Sequence, residues 1–389
     1  MIAAEGIGVA SLPDFRLETY FSEWEFRARF HLCASDMQSM SLEELLSLVE
    51  PSEREAWDRL HLGYTETFGA PRLREAIAAT YERVQPEDVL CFAGAEEGVY
   101  AAMHVLLGRD DHAIVVTPNY QSLETVPMAL CEVSGVALDP EDGWSLDLDV
   151  LKDALRPNTR VVSINFPHNP TGKVIPRTLY DKLIALCRER GIYVFSDEVY
   201  RLLERDPANR LRQAVDAYEC GLSLGVMSKS YGLPGLRIGW IACRDRTLLS
   251  RMERIKHYLS ICNSAPSEML AIFALKAREK ILARNRAIVA DNLERLSVFM
   301  ADYSDLFEWY VPDGGCIVYP RYKGADGVEE FTRRLVEEAG VLLLPASIYR
   351  SELGDTPGDR FRIGYGRSNM AEALVAFRRF LDGRSSSRP

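Results

Sequence analysis

Basic residues are outnumbered in this sequence. Its 389 residues include 46 lysines and arginines against 57 aspartates and glutamates, which gives a formal net charge of −11. A surface with this excess of negative charge repels phosphate backbones and anionic lipid. The composition therefore disfavours nucleic acid and membrane surfaces as partners and favours small metabolites.

Metal-binding and membrane-spanning patterns are also missing. The 6 histidines form no H-E-x-x-H pair and the 8 cysteines form no C-x-x-C pair, two patterns that are typical of zinc sites. No apolar run reaches the roughly 18 to 20 residues of a membrane span. Most cysteines lie in apolar runs, as reduced core thiols do. We therefore expect no metal, no membrane segment and a cytoplasmic protein.

The hydrophobic fraction, in contrast, is high at 47%. That is enough to bury a large core with a smaller domain attached. Between residues 70 and 243, short apolar runs typical of strands alternate with helical patterns. This alternation predicts an α/β fold with a mostly parallel central sheet covered by helices.

A helical pattern over residues 266–300 predicts one long helix, or two consecutive ones, leading out of the sheet. The residues that follow combine short strands and helices, which is an α+β pattern. We predict an N-terminal segment (1–45) that belongs to the small domain, a large α/β domain (46–273) and a C-terminal small α+β domain (274–389).

The stretch VMSKSYGLPGLRIGW, residues 226–240, places a lysine in a turn. An apolar run ends just before Lys229 and another begins at the end of the stretch, with serine, glycine and proline between them. Lys229 is therefore expected to emerge from a buried strand onto a loop. Open α/β sheets bind their ligands at that edge.

Other polar stretches also follow predicted strands. In FAGAEEGV, Gly94 precedes a helix whose first N–H groups, at Ala95 and Glu96, could hold a phosphate. Asn169 in NFPHNPTG and Asp197 in VFSDEVY end two further strands. Taken alone, these two residues are equally well explained as a turn residue and a helix N-cap.

Together these groups match the needs of one cofactor, pyridoxal phosphate. It requires a lysine for a Schiff base, an acid for its ring nitrogen, donors for its phenolic oxygen and a basic cup for its phosphate. The candidates, in that order, are Lys229; Asp197; Asn169 with Tyr200; and Ser228, Arg237 and the helix start at Ala95 and Glu96.

The whole pattern resembles the class I/II aminotransferases, which are pyridoxal-phosphate enzymes of fold type I. The resemblance covers nearly the whole chain, and a chance match of its ordered motifs is remote. The motifs are YTETFGAPRLREAIA, GAEEG, PNY, NPTGKV, SDEVY, SKSYGLPGLRIGW and FRIGYG.

The resemblance implies roles around the cofactor ring. Lys229 forms the Schiff base and moves the substrate's α-proton, and Asp197 pairs with the ring nitrogen. Asn169 and Tyr200 contact the phenolic oxygen, and Tyr120 stacks on the ring. For the phosphate, the family pattern implies Ser228 and Arg237.

It also implies contacts across subunits and to the substrate. Tyr64 reaches the phosphate of a neighbouring subunit, which makes a homodimer the functional unit. Arg362 clamps the substrate carboxylate, aided by Asn169 and by the backbone near Ser35. Arg360 and Arg367 lie close in sequence, but Arg362 sits inside the apolar strand pattern FRIGY, where an unpaired arginine would be costly.

Two positions depart from the commoner family pattern. Val226 stands where many members carry a hydroxyl, so the phosphate cup is expected to have one donor fewer. Glu96 and Glu97 bring carboxylates near a dianion, which is unfavourable unless only their backbone faces it. We expect that backbone arrangement.

The resemblance implies transfer of an amino group from an L-amino acid to a 2-oxo acid. The same apparatus also serves lyases, cyclases and oxidases that act on amino acids, including arginine-like ones in biosynthetic pathways. A remote alternative is a non-catalytic effector domain that binds pyridoxal phosphate. It is disfavoured because only about seventy residues, without a basic pattern, precede the α/β alternation.

Overall fold

A computed structural model describes residues 12–385. Residues 1–11 of the predicted N-terminal segment, and residues 386–389, lie outside the described residues. The α-helices are α1 Arg16–Trp24, α2 Leu42–Ser47, α3 Pro51–Asp58, α4 Pro71–Ala78, α5 Ala95–Leu106, α6 Ser122–Met128, α7 Leu148–Asp153, α8 Arg177–Arg190, α9 Ala214–Ala217, α10 Arg246–Lys256, α11 Ala265–Lys276, α12 Arg278–Asp302, α13 Val328–Ala339 and α14 Met370–Ser385.

The strands are mostly short outside the central sheet. They are β1 Phe30–His31, β2 Val89–Phe92, β3 His112–Thr117, β4 Glu132–Ala137, β5 Thr159–Asn165, β6 Tyr193–Asp197, β7 Gly221–Val226, β8 Gly239–Cys243, β9 Phe307–Glu308, β10 Ile317–Val318, β11 Arg321–Tyr322, β12 Val341–Leu342, β13 Leu344–Pro345 and β14 Phe361–Gly364.

Seven strands form the central sheet, in the order β2-β8-β7-β6-β5-β3-β4. Strand β8 runs antiparallel to both of its neighbours, and the strands from β7 to β4 run parallel to one another. The predicted α/β fold with a mostly parallel sheet is therefore confirmed.

Both faces of this sheet are covered, as the unbroken apolar runs require. Neighbouring residues of one strand point to opposite faces, so they enter different cores. On β5, Val161 packs into a core with α5 and α10, whereas Val162 packs into another with α8. On β6, Phe195 and Val194 divide in the same way.

The predicted helical stretch after the sheet forms two helices, α11 and α12, which break at Ala277. Beyond them, a third core joins α12, α13 and α14 to the short strands. Strand β1 pairs in parallel with β12, with Phe30 opposite Val341, so the N-terminal segment packs against the C-terminal part. The domain boundaries at 45/46 and 273/274 stay predictions.

The fold brings the carboxyl ends of the parallel strands to one edge. Asn165 ends β5 and lies opposite Asp197, which ends β6; Asp197 in turn lies opposite Leu224 on β7. The loop that follows β7 carries Lys229 to the same edge. Within residues 12–385, no helix is long and apolar enough to cross a membrane.

Candidate active site

Lys229 lies on the loop after β7, and its amine reaches the N-terminal segment. The Nζ atom donates a hydrogen bond to Ser35 Oγ at 2.8 Å. Burial lowers the pKa of Lys229 below its ordinary value; Arg362 lowers it further, and Asp36 and Asp197 oppose the shift. A lysine with a lowered pKa has more of the neutral amine, which is the form that acts as a nucleophile and base.

Asp197 is buried at the end of β6. Its Oδ1 accepts a hydrogen bond from the N–H of Val199 at 3.1 Å, and its own carbonyl accepts one from Asn165 Nδ2 at 2.9 Å. Burial raises the pKa of Asp197 to about 6, while the Val199 N–H and Lys229 act to lower it. The segment after it is a turn and not an α-helix, so the N-cap interpretation of Asp197 is wrong.

Arg362, on β14, is fully buried beside Asn169. Its Nη1 donates to Asn169 Oδ1 at 3.2 Å and to the hydroxyl of Tyr349, and its Nε and Nη2 donate to the Cys33 carbonyl at 3.2 and 2.8 Å. No acid among residues 12–385 forms an ion pair with Arg362. A buried guanidinium that lacks a carboxylate partner suits a ligand that brings one.

The two neighbouring arginines are already engaged. Arg367 pairs with Asp36 at 3.0 Å. Arg360 lies over the ring of Trp144 at 4.8 Å. Arg360 also lies 3.9 Å from Glu141, so each of these two arginines has an acid partner, which Arg362 lacks among residues 12–385.

Ser35 lies near both Lys229 and Tyr200. Besides accepting from the lysine amine, the Ser35 side chain lies near the phenol of Tyr200; burial raises the pKa of Tyr200, and Ser35 acts to lower it. The sequence resemblance pointed to the Ser35 backbone and gave no signal for its hydroxyl. Tyr120 follows β3 at the same edge of the sheet, with its ring centroid 5.2 Å from that of Phe15; its stacking role stays a prediction.

Arg237 and the start of α5 form a compact corner. Gly94 precedes the helix with φ +106, and a Cβ there would lie 2.5 Å from Arg237 Nη2. A Cβ on Gly239 would lie 2.6 Å from the Gly94 carbonyl carbon. The first N–H groups of a helix lack acceptors within it, so those of Ala95 and Glu96 are available to an anion.

The carboxylates next to this corner are directed at other groups. Glu96 accepts a hydrogen bond from Ser122 Oγ at 2.9 Å, and burial raises the pKa of Glu96 to about 7. Glu97 accepts from the N–H groups of Ala93 and Ser260. This agrees with the expectation that only the backbone of Glu96 faces a phosphate. Val226 is buried, and Ser228 lies two residues beyond it.

Tyr64 lies apart from the other candidates, on a loop before α4. Its side chain is 93% exposed, and Leu62, Tyr258 and Ile261 are also exposed. The two loops that carry these residues are joined where Thr65 Oγ1 donates to the Asn263 carbonyl at 2.9 Å. They form an exposed apolar surface, called here the Tyr64 surface.

Lys256 is a buried residue that the sequence patterns did not reveal. As a lysine in the last turn of α10, it resembles an ordinary solvated helix terminus. Its amine instead donates to the carbonyls of Thr67 and Cys91, both at 2.7 Å, and to Asn263 Oδ1 at 3.3 Å. It thereby fixes both loops of the Tyr64 surface to the sheet.

Substitution of Lys256 by methionine is expected to lower the free energy of unfolding by about 2 to 4 kcal/mol, because buried acceptors lose a charged donor. Urea unfolding of the purified protein measures this loss. Lys280→Met, at an exposed position of α12, is the matched control and should change stability little. An equal effect in both variants would contradict the proposed role of Lys256.

Comparisons with known proteins agree on one family. The model of the family described as aminotransferase class I and II matches residues 30–377. The capreomycidine synthase of Streptomyces vinaceus is 29% identical over 378 residues, which cover 95% of this chain and 94% of that protein.

Two solved structures are similar over nearly the whole chain. One is a PLP-dependent aminotransferase from Streptococcus suis 89-1591, with a TM-score of 0.89 and 29% identity, covering 96% of this chain and 98% of the other. The second is the PLP-dependent cyclase OrfR, with a TM-score of 0.87 and 25% identity, covering 98% of this chain and 100% of the other.

Proposed function

Because this chain belongs to the class I and II aminotransferase family, we propose that it transfers the amino group of an L-amino acid to a 2-oxo acid. It is a PLP-dependent enzyme, and pyridoxal 5′-phosphate is its cofactor. The observation that carries the proposal is the buried Arg362, which forms no ion pair with an acid of residues 12–385 and whose charge acts on that of Lys229. Both substrates of such a reaction present a carboxylate to that arginine.

The residues present fit the cofactor. Asp197 is a buried carboxylate with a raised pKa, and a protonated ring nitrogen would supply the positive charge that it lacks. Arg237 and the start of α5 offer donors for the phosphate, with Ser228 close by in sequence. When bound, the cofactor supplies an electron sink that makes the substrate's Cα–H bond acidic.

The chain's own residues would bind the cofactor and the substrate, orient them and move protons. Lys229 would hold the cofactor through Nζ, and the free amine would take the proton from the substrate's Cα. Arg362 binds the carboxylate through its planar fork, and Asn169 fixes its orientation. Ser35 holds the lysine amine in place before it reacts.

The proposed functional unit is a homodimer that buries the Tyr64 surface. An exposed apolar surface on an otherwise acidic protein favours cover by another protein chain. In this arrangement Tyr64 of one subunit reaches the phosphate bound by the other. Each active site would then be complete only in the dimer.

Sedimentation of the loaded enzyme is expected to give a species of twice the chain mass of 43.9 kDa. The double substitution Leu62→Asp and Tyr258→Asp should produce inactive monomers, because it places charges in the interface. Val298→Asp with Val375→Asp, at exposed positions of α12 and α14, is the matched control and should remain dimeric. A fully active monomer would refute the shared site.

A second candidate is a cyclase reaction on an amino acid. It is favoured by the similarity to the capreomycidine synthase over 95% of this chain and to the cyclase OrfR. Related lyase and oxidase reactions use the same groups. The choice depends on which substrate bond lies perpendicular to the cofactor ring, and the cofactor-binding residues do not fix that orientation.

Single-turnover mixing separates these reactions. The loaded enzyme is mixed with each common L-amino acid, without a 2-oxo acid, while its absorption spectrum and the product masses are followed. Amino transfer predicts loss of the aldehyde form of the cofactor and one equivalent of 2-oxo acid. Release of ammonia with recovery of the aldehyde form, or a cyclised or oxidised amino acid, would reject amino transfer and select an alternative.

A further inference from the structure

A cavity of about 270 Å³ lies beside the loop that carries Lys229. It is bounded by the segment after β6, the end of β7 and the first turns of α12. Its lining includes six residues with polar side chains that can contact a ligand: Glu198, Arg201, Arg210, Ser230, Arg278 and Arg286. Val226, the phosphate-cup position without a hydroxyl, lines the cavity, but none of the residues proposed above to bind the cofactor or substrate does. The cavity therefore adjoins the proposed active site without sharing its binding groups.

Two arginines of this cavity lack a counter-charge. Arg210 and Arg278 pair with glutamates at 2.7 and 3.4 Å. Arg201 and Arg286, in contrast, form no ion pair and no side-chain hydrogen bond with any residue of 12–385, and Arg201 Nε is buried without an acceptor. Both side chains are partly buried, and a guanidinium stays protonated, so a ligand that supplies acceptors to them is favourable.

Glu198 does not neutralise these arginines fully. Its Oε1 accepts hydrogen bonds from the Ala214 N–H and the Ser223 hydroxyl, both at 2.8 Å, and its Oε2 is buried without a partner. Burial raises the pKa of Glu198 to about 7. The backbone N–H of Ala214 and the charge of Arg201 act against this rise, which places Glu198 close enough to Arg201 to interact with it.

We propose that this cavity binds a small oxyanion, a carboxylate or a phosphate, between Arg201 and Arg286. The planar arginine fork matches both anions. The cavity opens to solvent along α12, where the Arg278 side chain is 37% exposed. Its volume is at the lower end for ligand pockets, which restricts the occupant to a small molecule.

The cavity is coupled to the catalytic lysine through Ser230. Its hydroxyl oxygen lies 3.0 and 2.6 Å from the carbonyl oxygens of Val199 and Arg201, to which its one proton can be donated, and its own carbonyl accepts from Asn285 Nδ2 at 2.8 Å. Asn285 adjoins Arg286 on α12. An anion bound by Arg201 and Arg286 acts on the segment after β6 and on α12. Both segments are hydrogen-bonded to Ser230, the residue that follows Lys229.

Calorimetry of the loaded enzyme with inorganic phosphate, and separately with succinate, tests the site. The bound cofactor occupies the phosphate cup, and an Arg362→Gln background keeps succinate from the carboxylate clamp. At least one probe should bind with a dissociation constant of about 1 mM or lower. Arg201→Gln with Arg286→Gln should weaken binding about tenfold or more.

The matched control is Arg251→Gln with Arg379→Gln, which removes two charges from exposed positions. Phosphate binding alone identifies a phosphate occupant, and succinate binding alone identifies a carboxylate. Absence of saturable binding, or equal weakening in the control pair, overturns the proposal. If the double variant does not fold, Arg286→Gln alone should still weaken binding, and unchanged affinity there also overturns it.

The same titrations followed by the cofactor's visible absorption test the coupling. We expect a spectral change with the midpoint measured by calorimetry, absent from the Arg201→Gln with Arg286→Gln variant. Binding without a spectral change would refute the connection through Ser230.

Discussion

Alanine at position 229 is expected to lower turnover by about 10⁴-fold or more, since it removes both the covalent attachment and the base. Lys229 is the lysine that donates to Ser35 inside the site, and its pKa is lowered by burial. Borohydride treatment followed by intact-protein mass measurement checks the assignment directly. The wild-type chain should gain the mass of one cofactor, and Lys229→Ala should gain none.

The control for this experiment is Lys280→Ala on the exposed face of α12, which should label as the wild type does. The cofactor can still occupy the site of Lys229→Ala without a covalent bond. Its binding is therefore followed separately by absorption. One equivalent of borohydride-fixed cofactor on Lys229→Ala would disprove the assignment.

The second large effect is expected at Asp197. Alanine there should lower kcat by about 10² to 10⁴-fold, because the ring nitrogen loses its buried counter-charge. Asp197→Asn keeps an oxygen that can accept from the Val199 N–H, so the turn after β6 should persist. A similar loss in that variant would assign the effect to charge and not to local unfolding.

Steady-state rates of both Asp197 variants, measured with saturating cofactor, provide the test. Asp291→Asn, on the solvent face of α12, removes a carboxylate elsewhere and should leave the rate nearly unchanged. Near-normal turnover in Asp197→Asn would exclude Asp197 as the partner of the ring nitrogen.

The layered fold could be predicted because its strands are continuous apolar runs that only a sheet covered on both faces can bury. The direction of β8 could not. Its residues are buried like those of the parallel strands in the same sheet, and burial is the same whichever way a strand runs. The sequence also does not decide between one long helix and two with a break at Ala277. A bend at one backbone position leaves the helical periodicity on either side intact.

The site was predictable where function depends on position along a strand. Lys229 and Asp197 follow apolar runs, and parallel strands bring such ends together. The burial of Arg362 could also be inferred, because the residues on either side of it in the sequence form an apolar strand pattern. Ser35 and Lys256 could not be interpreted this way, because their partners Lys229 and Thr67 lie 194 and 189 residues away and leave no local pattern.

The bond from Arg362 to the Cys33 carbonyl spans 329 residues. During synthesis, the arginine proposed to hold the substrate is added 329 residues after the cysteine to which it is bonded. The strands that end at Asn165, Asp197 and Val226 are available much earlier, and closing the later, longer loop carries the larger entropic cost. A nascent chain that ends before Arg362 therefore contains the strands of the sheet edge proposed for the cofactor but not the proposed clamp for a carboxylate.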